Sequence, residues 1–537
     1  MCLLLRQWGM VAALLLATVS QIASIPAVTA AESDIPPATY PNPSHDPMFA
    51  EADCDFPPDK APANLTMGYE LTCGSVTVPQ DHDDPEGDSI DIFVIRITTP
   101  GTESSATPLF LLAGGPGQAG SDILGAFSDD TWGSYASWTP LLEGRDTYLI
   151  DQRGTGRTEP AVVCPADRVD PLPAVDQSGI AAPVDDEARA VTAAGYYGDC
   201  ADALLDEGID LATYNNRQSV ADLDLVRQAI GAERVDLIGV SYGSWLALEM
   251  MRYHPDSIRS VVLDSPLPPQ ADLFQSAMIG FQNALDGVFA RCADDPQCDA
   301  AYPDLERTFQ STIGKLDAEP MMLTYEDPTS GEQVESSATG QDLLSLVFNL
   351  FYSGPVISLI PPLIGSVAGG DGEIFSQLVP ILLSSDDGIG TALHFAVNCQ
   401  DEIPFLDIDE ILTEAEQDGI SQYVIDDERA SAESYAELCA AWDLAPSVAV
   451  ESAPVVSTIP TLIVTGKFDP ITPTVNGEMA LETLSNGVLV ESPIAGHDPL
   501  STSGTCGIDI VQAFLNHPRA EVNASCLDDL GIDFSPT

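Results

Sequence analysis

The chain is 537 residues long, enough for one large domain with an insertion and an ample core. It carries 83 acidic residues against 19 basic ones, a formal net charge of −64 spread along its length rather than gathered in a tail. That charge repels polyphosphates and anionic lipid surfaces, so nucleic acid and membranes are excluded as partners.

The same acids suit a surface adapted to high salt, where counterions screen self-repulsion. The unfolding temperature is therefore expected to rise between low and molar salt. A temperature that stays level or falls would remove this reading.

In chain order, Arg6, the apolar stretch from Val11 to Val19 and the small residues Val28-Thr29-Ala30 read as a signal peptide over residues 1–30. No cysteine stands at the cleavage site, so no lipid anchor is expected. The reading is of an exported protein, extracellular or periplasmic. Of eleven cysteines, Cys2 leaves with that peptide and the other ten can pair in an oxidising compartment. Near neighbours suggest Cys54 with Cys73, Cys164 with Cys200, Cys292 with Cys298, Cys399 with Cys439 and Cys506 with Cys526. No cysteine or histidine cluster has zinc spacing, and neither a metal nor a cofactor is expected.

Residues 31–59 are rich in Pro, Asp and Ala and read as an extended arm. Residues 60–269 then read as the first part of an α/β core. Gly74–Pro79 and Ser89–Ile97 form an antiparallel pair at the sheet edge, and Pro108–Leu112, Asp146–Asp151, Val235–Val240 and Ile258–Asp264 form parallel strands. The glycines of the loop Asp151–Thr158 lack the lysine and spacing of a phosphate site, so that loop reads as structural. From residue 270 to 450 the rhythm stops and the pattern is mostly helical, with no strong strand until Thr461. This is a cap inserted between strands 6 and 7. Its most apolar stretch, Pro355–Gly369, reads as a kinked buried helix rather than a membrane span. Residues 451–537 return to the core.

The chemistry sits on this frame. Val235–Val240 runs into Gly239-Val240-Ser241-Tyr242-Gly243, a strand that turns sharply into a helix and projects a strained serine above the sheet. Serine alone is a weak nucleophile, so a base and an acid must follow. Asp469 stands in the loop after Thr461–Gly466, and His497 follows the strand Gly487–Glu491. The order Ser241, Asp469, His497 is that of an α/β-hydrolase, a mostly parallel sheet flanked by helices. His497 takes the serine's proton and Asp469 orients the imidazole. Of the six histidines, His394 is the rival base, but Ala392-Leu393-His394-Phe395-Ala396 has the setting of a packed core residue. Asp498 follows the histidine and would break the order. After Pro108–Leu112 comes Ala113-Gly114-Gly115-Pro116-Gly117, placed to lend the Gly115 N–H to a developing oxyanion beside that of Tyr242.

With these motifs in place, the chain resembles the secreted tripeptidyl aminopeptidases, within the proline-iminopeptidase-like serine peptidases of the α/β-hydrolase superfamily. The resemblance rests on Cys73–Asp81, Gly114–Gly117, Asp151–Gly154, Gly239–Gly243, Gly466–Pro473 and Gly496-His497. Relatives often have histidine where this chain has Ala113. The resemblance implies release of short peptides or single residues from a free N-terminus, which needs carboxylates for the ammonium group. Asp401 and Glu402, in Asn398-Cys399-Gln400-Asp401-Glu402, are the candidates, with solvated surface as the competing reading. Two other functions stay open: a carboxylesterase or lipase-type hydrolase using the same three residues, and a binding module on an inactive hydrolase fold.

Overall fold

Short runs of β-branched and leucine residues dominate the centre of this protein, and they form a sheet buried on both faces. The computed structural model describes residues 47–54, 68–100, 106–127, 137–164, 186–327, 331–352, 354–383, 390–448 and 452–534. These lie in one unit, Tyr40–Thr537, while residues 1–30, read as a signal peptide, and most of the 31–59 arm fall outside the described residues.

The strands are β1 (Phe49–Ala52), β2 (Glu70–Pro79), β3 (Ser89–Thr98), β4 (Leu109–Leu112), β5 (Thr147–Ile150), β6 (Val235–Val240), β7 (Ile258–Asp264), β8 (Met321–Glu326), β9 (Gln333–Ala338), β10 (Thr461–Gly466) and β11 (Gly487–Ser492). Nine of them form one sheet in the order β1-β2-β3-β5-β4-β6-β7-β10-β11. From β5 to β11 every neighbouring pair is parallel, and β4 and β10 are buried at every position, as strands covered on both faces must be. This is the α/β-hydrolase architecture. Two details differ from the sequence reading. Phe49–Ala52, within the arm, pairs antiparallel with β2 and makes the sheet edge one strand wider. The cap region also holds a hairpin, β8 with β9. Its first strand alternates exposed and buried residues, a pattern that six residues inside a helix-rich stretch do not announce.

Between β7 and β10 the chain builds the helices Leu273–Asp294, Leu305–Ala318, Gly340–Tyr352, Thr391–Asp401 and Gln422–Trp442, among others. Apart from Thr391–Asp401, the apolar faces of these helices meet in a core that includes Phe281, Phe309, Phe351 and Phe375, and Phe468 from the loop after β10 joins it. Phe351 and Phe468 lie almost parallel, 6.4 Å apart. The inserted helices thus share a core with the loop that carries Asp469.

All five near-neighbour cysteine pairs are disulfides, closing spans of 19, 36, 6, 40 and 20 residues. Such a set fits an extracellular protein. Among the described residues no helix is long and apolar enough to cross a membrane.

Candidate active site

Register places the ends of the central strands side by side, because Leu112 faces Gly239, Val240 and Val464 both face Asp264, and Gly466 faces Ser492. The loops leaving these strands gather at the carboxyl edge of the sheet, where open α/β sheets build their sites.

Ser241 is the turn between β6 and the helix Tyr242–Tyr253, with φ 54° and ψ −123°. A non-glycine residue held there stores about 1–3 kcal/mol of strain. The flanking glycines are required by space. A Cβ on Gly239 would come within 2.2 Å of the Gly243 carbonyl oxygen, and one on Gly243 within 2.2 Å of the Leu112 oxygen. The Ser241 N–H donates to the Asp264 carbonyl at 2.8 Å, which ties the turn to β7.

Asp469 and His497 come together across 28 positions of sequence: Nδ1 of His497 lies 3.1 and 3.0 Å from the two carboxylate oxygens of Asp469. The carboxylate also accepts the Thr472 N–H and hydroxyl, each at 2.8 Å, and the Ser265 hydroxyl at 2.8 Å. Burial pushes Asp469 up, but the His497 charge and these hydrogen bonds outweigh it and hold the carboxyl below its ordinary value. His497 moves the other way. Burial lowers it, and the charge and hydrogen bond of Asp469, with the charge of Asp498, raise it above its ordinary value.

Asp498 directs its carboxylate at the Ser501 N–H, 3.2 Å away. Burial raises it, as it raises Asp264 beside it, where the charge of Asp498 adds to the shift. Above the imidazole, Tyr352 at the end of the helix Gly340–Tyr352 sets its ring 5.0 Å from that of His497. The same helix end is pressed on the histidine loop so closely that a Cβ on Gly496 would collide with the Phe351 carbonyl oxygen.

The Ser241 hydroxyl and His497 Nε2 make no hydrogen bond with any described residue, so the serine and the imidazole are not joined by one. Such bonds commonly tighten only with substrate in place.

The Gly114–Gly117 loop lies against the turn, with a Cβ position on Gly114 only 3.2 Å from the Ser241 Cβ. The Gly114 N–H is taken by Gln118 Oε1 at 3.2 Å, whereas Gly115, at φ 107°, precedes a cis bond to Pro116. Tyr242 opens its helix, so its N–H has no acceptor within the helix.

Asp401 and Glu402 are not solvated surface: they are 0% and 3% exposed. Asp401 accepts the Asn216 N–H at 2.7 Å, and Asn216 in turn accepts the Tyr242 hydroxyl at 2.6 Å, so this acid is wired to the elbow helix. Glu402 accepts the Leu273 N–H at 3.0 Å. Burial pushes Glu402 up to about 8, the Leu273 bond opposing and the charges of Asp272 and Asp401 adding. Burial likewise takes Glu428 to about 8, with Asp427 and Asp272 contributing.

Ser265, Thr472 and Tyr352 were not singled out from sequence. Ser265 had a readable signal, since it directly follows the strand next to the elbow strand.

Residues 107–338 match the model of the alpha/beta hydrolase fold family, and residues 427–526 match that of the TAP-like proteins. Serine protease Hip1 of Mycobacterium tuberculosis H37Rv is 24% identical over 469 residues, covering 82% of this chain and 84% of its own. Tripeptidyl aminopeptidase of Streptomyces lividans is 30% identical over 217 residues, covering 39% of this chain and 38% of its own. Carboxylesterase B of M. tuberculosis H37Rv is 28% identical over 278 residues, covering 48% and 50%. Fold, motif order and these matches lead to one conclusion: the chain is a serine hydrolase with the α/β-hydrolase fold.

Proposed function

We propose that this enzyme is a secreted serine exopeptidase, releasing short peptides or single residues from the free N-terminus of peptides through an acyl-enzyme on Ser241. Two observations support the serine chemistry: the Asp469–His497 pair, whose carboxylate is held by Ser265, and the strained Ser241, whose N–H is held by the carbonyl of Asp264, the residue before Ser265.

His497 takes the hydroxyl proton as Ser241 attacks the scissile carbonyl, and Asp469 holds the δ-protonated ring and stabilises its charge. The oxyanion takes hydrogen bonds from the Tyr242 and Gly115 N–H groups. His497 then protonates the leaving amine, and water repeats the cycle on the acyl-enzyme.

The exopeptidase reading rests on buried Glu402 and the half-buried Asp272 and Glu428 near it. Asp272, Glu402 and Glu428 are raised by burial, the charge of Asp272 adds to the rise of the two glutamates, and among the described residues no Lys or Arg forms an ion pair with any of the three. A substrate ammonium group supplies a positive charge and lets Glu402 ionise. Asp401, already bound to Asn216, adds negative charge from behind. The name of the Streptomyces relative agrees with this reading.

Two measurements test it. Glu402→Gln is expected to raise KM for free-amino peptides about 10- to 100-fold, the worth of a hydrogen bond to a charged group. Acetylation of the substrate's N-terminus is expected to abolish turnover, and equal hydrolysis of free and acetylated peptides would remove the exopeptidase reading. The carboxylesterase relative favours a second reading with the same triad. Acyl esters turned over far faster than aminoacyl anilides would select it.

A further inference from the structure

His394 was the histidine that the sequence placed in a packed core, and its partners point elsewhere. It lies on the helix Thr391–Asp401, partly buried beside Phe395 and Tyr435. Its Nδ1 is 3.1 Å from the carbonyl oxygen of Pro116, in the glycine-rich loop beside Ser241. Its Nε2 is 2.5 Å from the Tyr435 hydroxyl and 3.1 Å from Nδ2 of Asn398. A carbonyl oxygen only accepts, so the ring proton sits on Nδ1. Nε2 then carries a lone pair and accepts from both Tyr435 and Asn398. Burial favours this neutral form, pushing the imidazole down to about 4 against the Pro116 bond.

The loop is gripped from two sides. On the sheet side, Gln152, just after β5, donates to the Ala113 carbonyl at 3.1 Å, while Gln118 closes the loop on itself by accepting the Gly114 N–H at 3.2 Å. On the cap side, the Gly390 N–H donates to the Gly117 carbonyl at 2.8 Å and His394 donates to Pro116. Tyr435, at the far end of the imidazole, packs on Phe274 and Phe395 and feels the charges of Glu428 and Glu402. Contacts therefore run from Tyr435 through His394 to the loop beside the nucleophile, and the acids act on Tyr435 by charge alone.

We infer that His394 is a positioning residue: its imidazole bridges Tyr435 to the Pro116 carbonyl and holds the Gly115 N–H where the oxyanion forms. The inference rests on the reading of that loop as an oxyanion hole. Oxyanion donors act only if they are aimed before charge develops, so a clamp on the loop acts on the transition state and leaves ground-state binding alone.

The test compares the wild type with His394→Phe, which keeps an aromatic ring, with Tyr435→Phe, which deletes a single oxygen, and with Ser241→Ala. Each is assayed on an unblocked tripeptidyl p-nitroanilide, against a peptide boronic acid as transition-state mimic, and by thermal unfolding. His394→Phe is expected to lower kcat about 10- to 100-fold, less than losing a whole oxyanion donor, with KM changed by less than about threefold. Boronate affinity falls by the same factor as kcat. Tyr435→Phe gives a smaller loss in the same direction and decides the matter if His394→Phe fails to fold. Unchanged kcat and boronate affinity, or a loss confined to KM, overturns the inference. Those results beside an inactive Ser241→Ala would sink this clamp alone, whereas an active Ser241→Ala would sink the serine mechanism itself.

Discussion

Ser241→Ala is expected to lower kcat by about 10^6-fold on a free-amino peptide substrate, the loss seen when a nucleophile of this kind is removed. The turn itself should survive. Alanine is no bulkier than serine, the glycines that the tight turn requires at 239 and 243 are untouched, and the Ser241 hydroxyl bonds to no described residue. The unfolding temperature therefore stays near that of the wild type while activity disappears. Residual turnover within about a thousandfold of the wild type would mean that a different group carries the chemistry.

Asp469→Asn is expected to cost about 10^4-fold in kcat. An amide in place of the carboxylate offers an N–H to Nδ1, which drives the ring proton to Nε2 and removes the lone pair that Ser241 needs. The pH dependence moves too. The base works as neutral imidazole, so the rate rises with pH through the His497 pKa, which lies above the ordinary 6.5. Burial lowers that pKa, and the Asp469 charge is the main influence raising it. Removing the charge must shift the rising limb to lower pH even as its plateau falls. A pH–kcat/KM profile of the variant that keeps its limb in place would contradict this role for Asp469.

The sheet was readable wherever a short apolar run ended in a turn, as at Val235–Val240 and Thr461–Gly466, because parallel strands buried on both faces leave that signature. The elbow was readable because no larger residue fits at Gly239 or Gly243. What stayed hidden depended on distance along the chain. His394 meets Pro116 across 278 positions, and nothing in its apolar neighbourhood hints at a carbonyl that far away. The burial of Glu402 was equally silent, since one acid among 83 looks like surface until a helix start at Leu273 closes over it. The strand β1 escaped because Phe49–Ala52 is short and three of its four residues are exposed, leaving no alternation to read.

The account turns on His497 activating Ser241, and fluorophosphonate labelling with peptide mapping tests that most directly. The wild type should take up one adduct, on the peptide containing Ser241, and His497→Ala should label slower by orders of magnitude. An adduct on another residue, or equal labelling of Ser241 without the imidazole, would contradict it.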